Sequence, residues 1–103
     1  MKILPEPLCF EWDEGNKEKS KLKHKVTIKE AEEVFINEPR FLFEDKKHSG
    51  KEIRYGMFGA TNLGRKLAVV FTVRAEKVRI ITARDMSKKE RKAYEKIQAN
   101  SNL

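Results

Sequence analysis

His24 and His48 are the only side chains in this 103-residue chain whose ordinary pKa suits proton transfer near neutrality. His48 lies in "KKHSG", a turn-forming run, and reads as a solvated loop residue. His24 follows Lys23 at the end of an expected helix, where it serves either acid–base chemistry or the carbonyls of the helix C-terminus. Arginines mark the ends of β-type runs: Arg65 precedes "KLAVVFTV", and Arg79 and Arg84 bracket "IITA". Paired guanidiniums suit a phosphate; the plainer alternative is ordinary salt bridges with Glu44, Asp45, Glu52 or Asp85. Two separated histidines without a matching carboxylate motif do not make a metal site, so neither metal nor cofactor is expected. The single thiol, Cys9, lies between Leu8 and Phe10 and is expected to be buried and structural.

Composition narrows the classes. Lys and Arg number 23 against 16 acidic residues, a net charge of +7. Such an excess attracts polyanions: RNA, DNA or an acidic protein. One cysteine excludes an internal disulfide and a multi-cysteine zinc site, and with no apolar leader in the chain a cytoplasmic location is expected. The apolar runs are too short to span a bilayer. The length allows a single core, so residues 1–103 are read as one domain.

The elements that must position these groups follow from patterning. Residues 1–8, with Pro5 and Pro7, form an extended lead-in, and "CFEW" a short strand. A basic helix is expected over residues 16–25, with Asp13 and Asn16 placed to cap it. Thr27 and Glu30 make a capping box for a second helix, in which Ile28, Ala31, Val34 and Phe35 recur at helical spacing until Asn37 and Pro39. "RFLFED" and "EIRYGMFG" read as strands, "RKLAVVFTV" as a central strand covered on both faces, and "VRIITARD" as its hairpin partner after "RAEK". Ser87 and Glu90 cap a last helix whose apolar stripe is thin (Met86, Ala93, Tyr94, Ile97) and whose other face carries Lys88, Lys89, Arg91, Lys92 and Lys96. Residues 99–103 are expected to fray. The expected architecture is α+β, in the order β-α-α-β-β-β-β-α, with an antiparallel sheet.

A tight hairpin around "RAEK" sets Val73 opposite Val78, and an unbroken register then carries Arg84 opposite Leu67. Arg84 would share a face with Arg65, while Arg79, opposite Thr72, would face the other way. All three arginines meet only if the register slips. Arg54, on the neighbouring strand, has no defined facing. Trp12 is either a surface for base stacking or part of the core rim.

Taken in order, "FEWD", Asn16, "KHKV", "EAEEVF", "FEDKKHS", Glu52 with Arg54, Gly59, "GRKLAVVFT", "RIITAR" and "ERKAYE" resemble the BrnT toxins of bacterial type II toxin–antitoxin systems over about residues 10–95. The resemblance implies a RelE-like fold: a small curved antiparallel sheet with two N-terminal helices and a C-terminal helix. It also implies a ribonuclease that inhibits growth by cutting RNA. Its partner would be a ribbon-helix-helix antitoxin, BrnA, in a complex that binds operator DNA. The family's recurrent polar positions fall on Trp12, Asp13, Asn16, Lys23, His24, Glu52, Arg54, Arg65, Arg79, Arg84, Glu90 and Arg91.

Metal-free RNA cleavage needs a base, an acid and cations on the phosphorane oxygens. Arg65 and Arg84 suit the cationic role, His24 or Glu52 the proton transfers, and Lys23 and Arg54 support of the phosphate. Trp12, Arg79, Lys88 and Arg91 are left as RNA-binding candidates. A non-catalytic RNA-binding or protein-interaction module of the same fold is the alternative. The family often has glycine after the histidine, and this chain has Lys25. In the left-handed conformation that glycine favours, a lysine costs on the order of 1 kcal/mol.

Overall fold

The computed structural model describes residues 3–12, 25–47 and 50–101. They form strand β1 (Phe10–Glu11), helix α1 (Ile28–Ile36), strands β2 (Phe41–Glu44), β3 (Tyr55–Ala60), β4 (Lys66–Arg74) and β5 (Lys77–Asp85), and helix α2 (Lys88–Ser101). The α+β class stands, but two parts of the expected order do not. Among the described residues one helix, not two, precedes β2. The expected helix over residues 16–25 lies outside them, save for Lys25, whose φ of 54° is left-handed, the conformation in which its side chain carries a cost. The sheet is mixed, in the order β1-β5-β4-β3-β2, because β1 runs parallel to β5. Alternation of apolar residues tells which face a strand buries, not which way it runs.

α1 forms where its capping box predicts. The Thr27 hydroxyl accepts from the Glu30 amide at 3.1 Å, and the Glu30 carboxylate accepts from the Thr27 amide at 3.0 Å. Its buried face, Ala31, Val34 and Phe35, packs on Met57, Leu67, Val69, Phe71, Val78, Ile80 and Ala83. Phe35 meets Phe10 and Phe71 edge to face, with centroids 5.3 and 5.1 Å apart. The helix lies so near β3 that a Cβ on Gly59 would sit 3.1 Å from the Val34 carbonyl oxygen. Ile3, Leu4 and Leu8 of the lead-in lean on the same core. Cys9, expected to be buried, is exposed: Leu8 and Phe10 turn inward and the residue between them points out, while its carbonyl accepts from the Val78 amide at 2.7 Å.

The opposite face of the sheet carries a smaller cluster. Ala68, Met86 and Tyr94 pack there with Phe58 and Ala60. The Tyr94 hydroxyl donates to the Pro39 carbonyl at 2.7 Å and ties α2 to the turn before β2. Ala93, expected in the apolar stripe, is exposed, so α2 is held by fewer side chains than the pattern suggests. It runs on to Ser101, through part of the stretch expected to fray. Among the described residues no helix is long and apolar enough to cross a membrane.

The β4–β5 hairpin closes as expected, with Arg74 opposite Lys77 and Val73 opposite Val78. The two-residue loop between them places Ala75 and Glu76 at φ of 51° and 62°, the pair of left-handed residues that a type I′ turn requires. Neither residue type suits that region. Replacing them together, Ala75→Asn with Glu76→Gly, is expected to raise the stability by on the order of 1 kcal/mol, read as a higher denaturant midpoint at unchanged slope.

Candidate functional site

Midway along β4 and β5 the register breaks. Phe71 faces Ile80 and Val70 faces Thr82, so Ile81 is an extra residue on β5. From there to the end of the strand every side chain of β5 points to the face opposite to the one an unbroken ladder would give. Arg84 stands opposite Ala68, not Leu67, and Asp85 takes the place beside Leu67. The expected convergence of Arg65 and Arg84 is therefore overturned: they lie on opposite faces. Arg79, opposite Thr72, and Arg84, opposite Ala68, share one face instead.

Arg65 is a structural clamp on the α1 side. Its Nε and Nη2 donate to the Asp85 carboxylate at 2.7 and 3.0 Å, and its Nη1 donates to Glu30 at 3.2 Å and to the Lys25 carbonyl at 3.0 Å. Asp85 chiefly, with Glu30 behind it, raises the Arg65 pKa further above its ordinary value. This guanidinium joins the start of β4, the end of β5 and the capped entry to α1.

The other face is where the remaining arginines gather. α2 covers one end of it, and beside that end a groove of about 370 Å³ is lined by Phe43, Arg54, Phe58, Val70, Thr82 and Arg84, among others. Arg84 donates to both oxygens of Glu90 at 2.7 and 2.9 Å. Glu90 also caps α2, accepting from the Ser87 amide at 2.8 Å. The Arg84 hydrogen bonds, with Ser87 in support, lower its carboxyl from 4.5 to about 2 against the opposing effect of burial. Further along the face, Arg74 grips Glu52 at 2.8 and 2.6 Å, and Arg79 reaches Glu11 at 3.3 Å. Glu52 is held below its ordinary value first by the Arg74 hydrogen bond and then by the charges of Arg74, Arg79 and Arg54. Arg54, Arg74 and Arg79 thus act on one carboxylate. Glu52 stays ionised near neutrality and is a poor proton donor.

The other sequence candidates fall away from this face or outside the described residues. The Trp12 indole donates to Glu32 at 2.8 Å and rests on the main core, which makes it core rim. Arg91 borders a separate hollow with Arg65, Lys66 and Asp85, and Lys88 is exposed at the start of α2. Asp13, Asn16, Lys23, His24 and His48 lie outside the described residues. Among the described residues no three His, Cys, Asp or Glu side chains are grouped to hold a metal ion. Three members of the groove face had no signal in charge patterning: Arg74, which reads as part of a turn, and Phe43 and Phe58. The alternation in "FLF" does place Phe41 and Phe43 on one face, and that was the available clue.

Two outcomes follow from these contacts. Arg65→Ala is expected to cost about 2 kcal/mol of stability, seen as a lower denaturant midpoint, because several charge-assisted bonds at one partly exposed junction are lost together. The Glu90 carboxyl is depressed in the folded state, so its contribution is present above its ordinary value of 4.5 and drains away as pH falls toward about 2. Stability measured at pH 6 and pH 3 should therefore differ less in Glu90→Gln than in the parent protein.

A comparison with curated protein sequences gave no match. Among family models, the one described as "Ribonuclease toxin, BrnT, of type II toxin-antitoxin system" matches residues 12–90, well over half of the chain and all of the sheet beyond β1. The bulged hairpin, the arginines of the groove face and the Arg65 clamp all lie within that span. The chain belongs to the BrnT family of ribonuclease toxins, whose type II systems pair the toxin with a protein antitoxin.

Proposed function

We propose that this protein is a metal-independent endoribonuclease that arrests growth by cutting RNA in the cytoplasm, with its chemistry on the groove face of the sheet. The observation that carries this reading is the bulge at Ile81, which brings Arg79 and Arg84 onto the face where Arg54 lines the groove. In the reaction a base takes the proton of a ribose 2′-OH, and the freed oxygen attacks the adjacent phosphorus. The bond to the 5′-oxygen then breaks, and an acid protonates that leaving oxygen. The products are a 2′,3′-cyclic phosphate and a 5′-hydroxyl. Arg84, assisted by Arg79 and Arg54, stabilises the negative charge that grows on the non-bridging oxygens. Glu52, held ionised by Arg74, is left only the part of base, and His24 is assigned the acid from its residue type. Lys88 and Arg91 on α2, with Lys23, guide the RNA backbone.

A BrnA-like ribbon-helix-helix antitoxin holds the toxin inactive, and the complex binds operator DNA. One observation favours the rival reading of a binding module without cleavage: Arg74, Arg79 and Arg84 each already hold a carboxylate of the same chain. A phosphate must displace Glu90 from Arg84 before that guanidinium can serve the reaction.

Cleavage of an RNA by the purified protein decides between the two. Arg84→Ala should lower the cleavage rate by about a hundredfold or more, the usual effect of removing one donor to a developing oxyanion. EDTA should leave the rate unchanged. Full activity in Arg84→Ala, or loss of activity with chelator, would sink the mechanism. Induction of the protein alone should stop growth, and co-expression of the neighbouring open reading frame should restore it.

A further inference from the structure

The groove face holds an aromatic row that the smaller cluster engages only at Phe58. Phe41 stands opposite Phe58, and Phe43 stands opposite Gly56, so three aromatic rings point from β2 and β3 to the side that carries Arg79 and Arg84. The Phe43 and Phe58 rings lie 5.4 Å apart at 62°, and Phe41 follows Phe43 at 5.9 Å. Phe41 is 44 % exposed. A Cβ on Gly56 would collide with the Phe43 ring, so the absent side chain is what lets this ring lie over β3 and form a wall of the groove. Phe43 and Phe58 then line the groove together with Arg54 and Arg84.

We propose that Phe43 and Phe58 form a stacking platform for a nucleobase of single-stranded RNA, which seats one base in the groove while its phosphate meets Arg84 and Arg54. This rests on the RNA reading above and adds the class of substrate and the residues that select it. The pairing of chemistries supports that occupant: a nucleotide has one flat apolar face and one anionic group, and the groove offers rings and guanidiniums along the same wall. Its volume of about 370 Å³ falls at the lower end of small-ligand sites, enough for one nucleotide unit but not for a helix. A duplex would fail here because its bases are stacked on each other and turned inward.

Binding is best measured by fluorescence anisotropy with a 2′-O-methyl hexanucleotide, which cannot be cut because the attacking oxygen is blocked. Two further ligands complete the set: an abasic chain of the same length and charge, and a duplex of the same sequence. The single strand with bases should bind at least tenfold more tightly than either. Phe43→Leu should lose about tenfold for the base-bearing strand and nothing for the abasic chain, while Phe43→Tyr keeps the parent affinity. Equal affinity for base-bearing and abasic chains, in a protein that still cuts RNA, would overturn the platform alone. Failure of every ligand to bind would overturn the RNA reading with it. A Phe43→Leu protein that weakens equally for both strands, or that loses the antitoxin and not RNA, would also overturn the platform, the latter marking the rings as a protein interface.

Discussion

The extra residue at Ile81 is the constraint on which the rest of the molecule turns. A β-ladder has a side-chain period of two, so one unpaired residue exchanges the faces of everything beyond it. Before the bulge Val78 and Ile80 enter the main core, and after it Ala83 does so. Without the slip Thr82 would take the place of Ala83 opposite Val69 and carry a hydroxyl into the apolar layer under α1, while Arg84 would stand beside Leu67. The bulge keeps the core apolar, and by the same step it moves Arg84 to the groove face and Asp85 to the α1 side.

Both displaced residues find partners that matter. Asp85 meets Arg65, which reaches onward to Glu30 and to the carbonyl of Lys25, so the end of β5 is linked to the entry of α1. Arg84 meets Glu90, which also caps α2. Glu90 therefore fastens a thinly packed basic helix to the edge of the groove and neutralises the guanidinium that RNA would need. A partner that draws α2 aside would release Arg84, and one that presses it down would keep the arginine engaged. In the proposed mechanism the contact that stabilises the helix competes with the substrate.

The groove face combines carboxylates with arginines, and that mixture shapes its chemistry. Glu11, Glu52 and Glu90 hold Arg79, Arg74 and Arg84 in defined positions, so the guanidiniums are oriented before any ligand arrives. Orientation of this kind reduces reorganisation when charge develops on a phosphate. It also means that polyanion affinity is a difference between two sets of ion pairs and should weaken steeply with salt.

Much of this protein is local and was legible in the residues. Capping boxes at Thr27 with Glu30 and Ser87 with Glu90 depend on spacings of three residues, the α1 stripe on helical period, and the hairpin at "RAEK" on adjacent partners. The covered central strand shows in its β-branched run, and the resemblance of ordered motifs to one toxin family was enough to place the chain. Three features were not legible. The parallel pairing of β1 with β5 joins residues far apart in sequence, and alternation carries no strand direction. The bulge has no signature in "VRIITARD", because Ile81 is as β-favouring as its neighbours; what decides it is that Ala83, not Thr82, fills the space under α1. Which face each arginine serves followed from that slip, which is why Arg65 met Asp85, an ordinary salt bridge that the sequence offered as the alternative to a phosphate pair, and Arg84 came to share its face with Arg79. Local spacing decided which elements form; burial across the whole sheet decided which side each charge would serve.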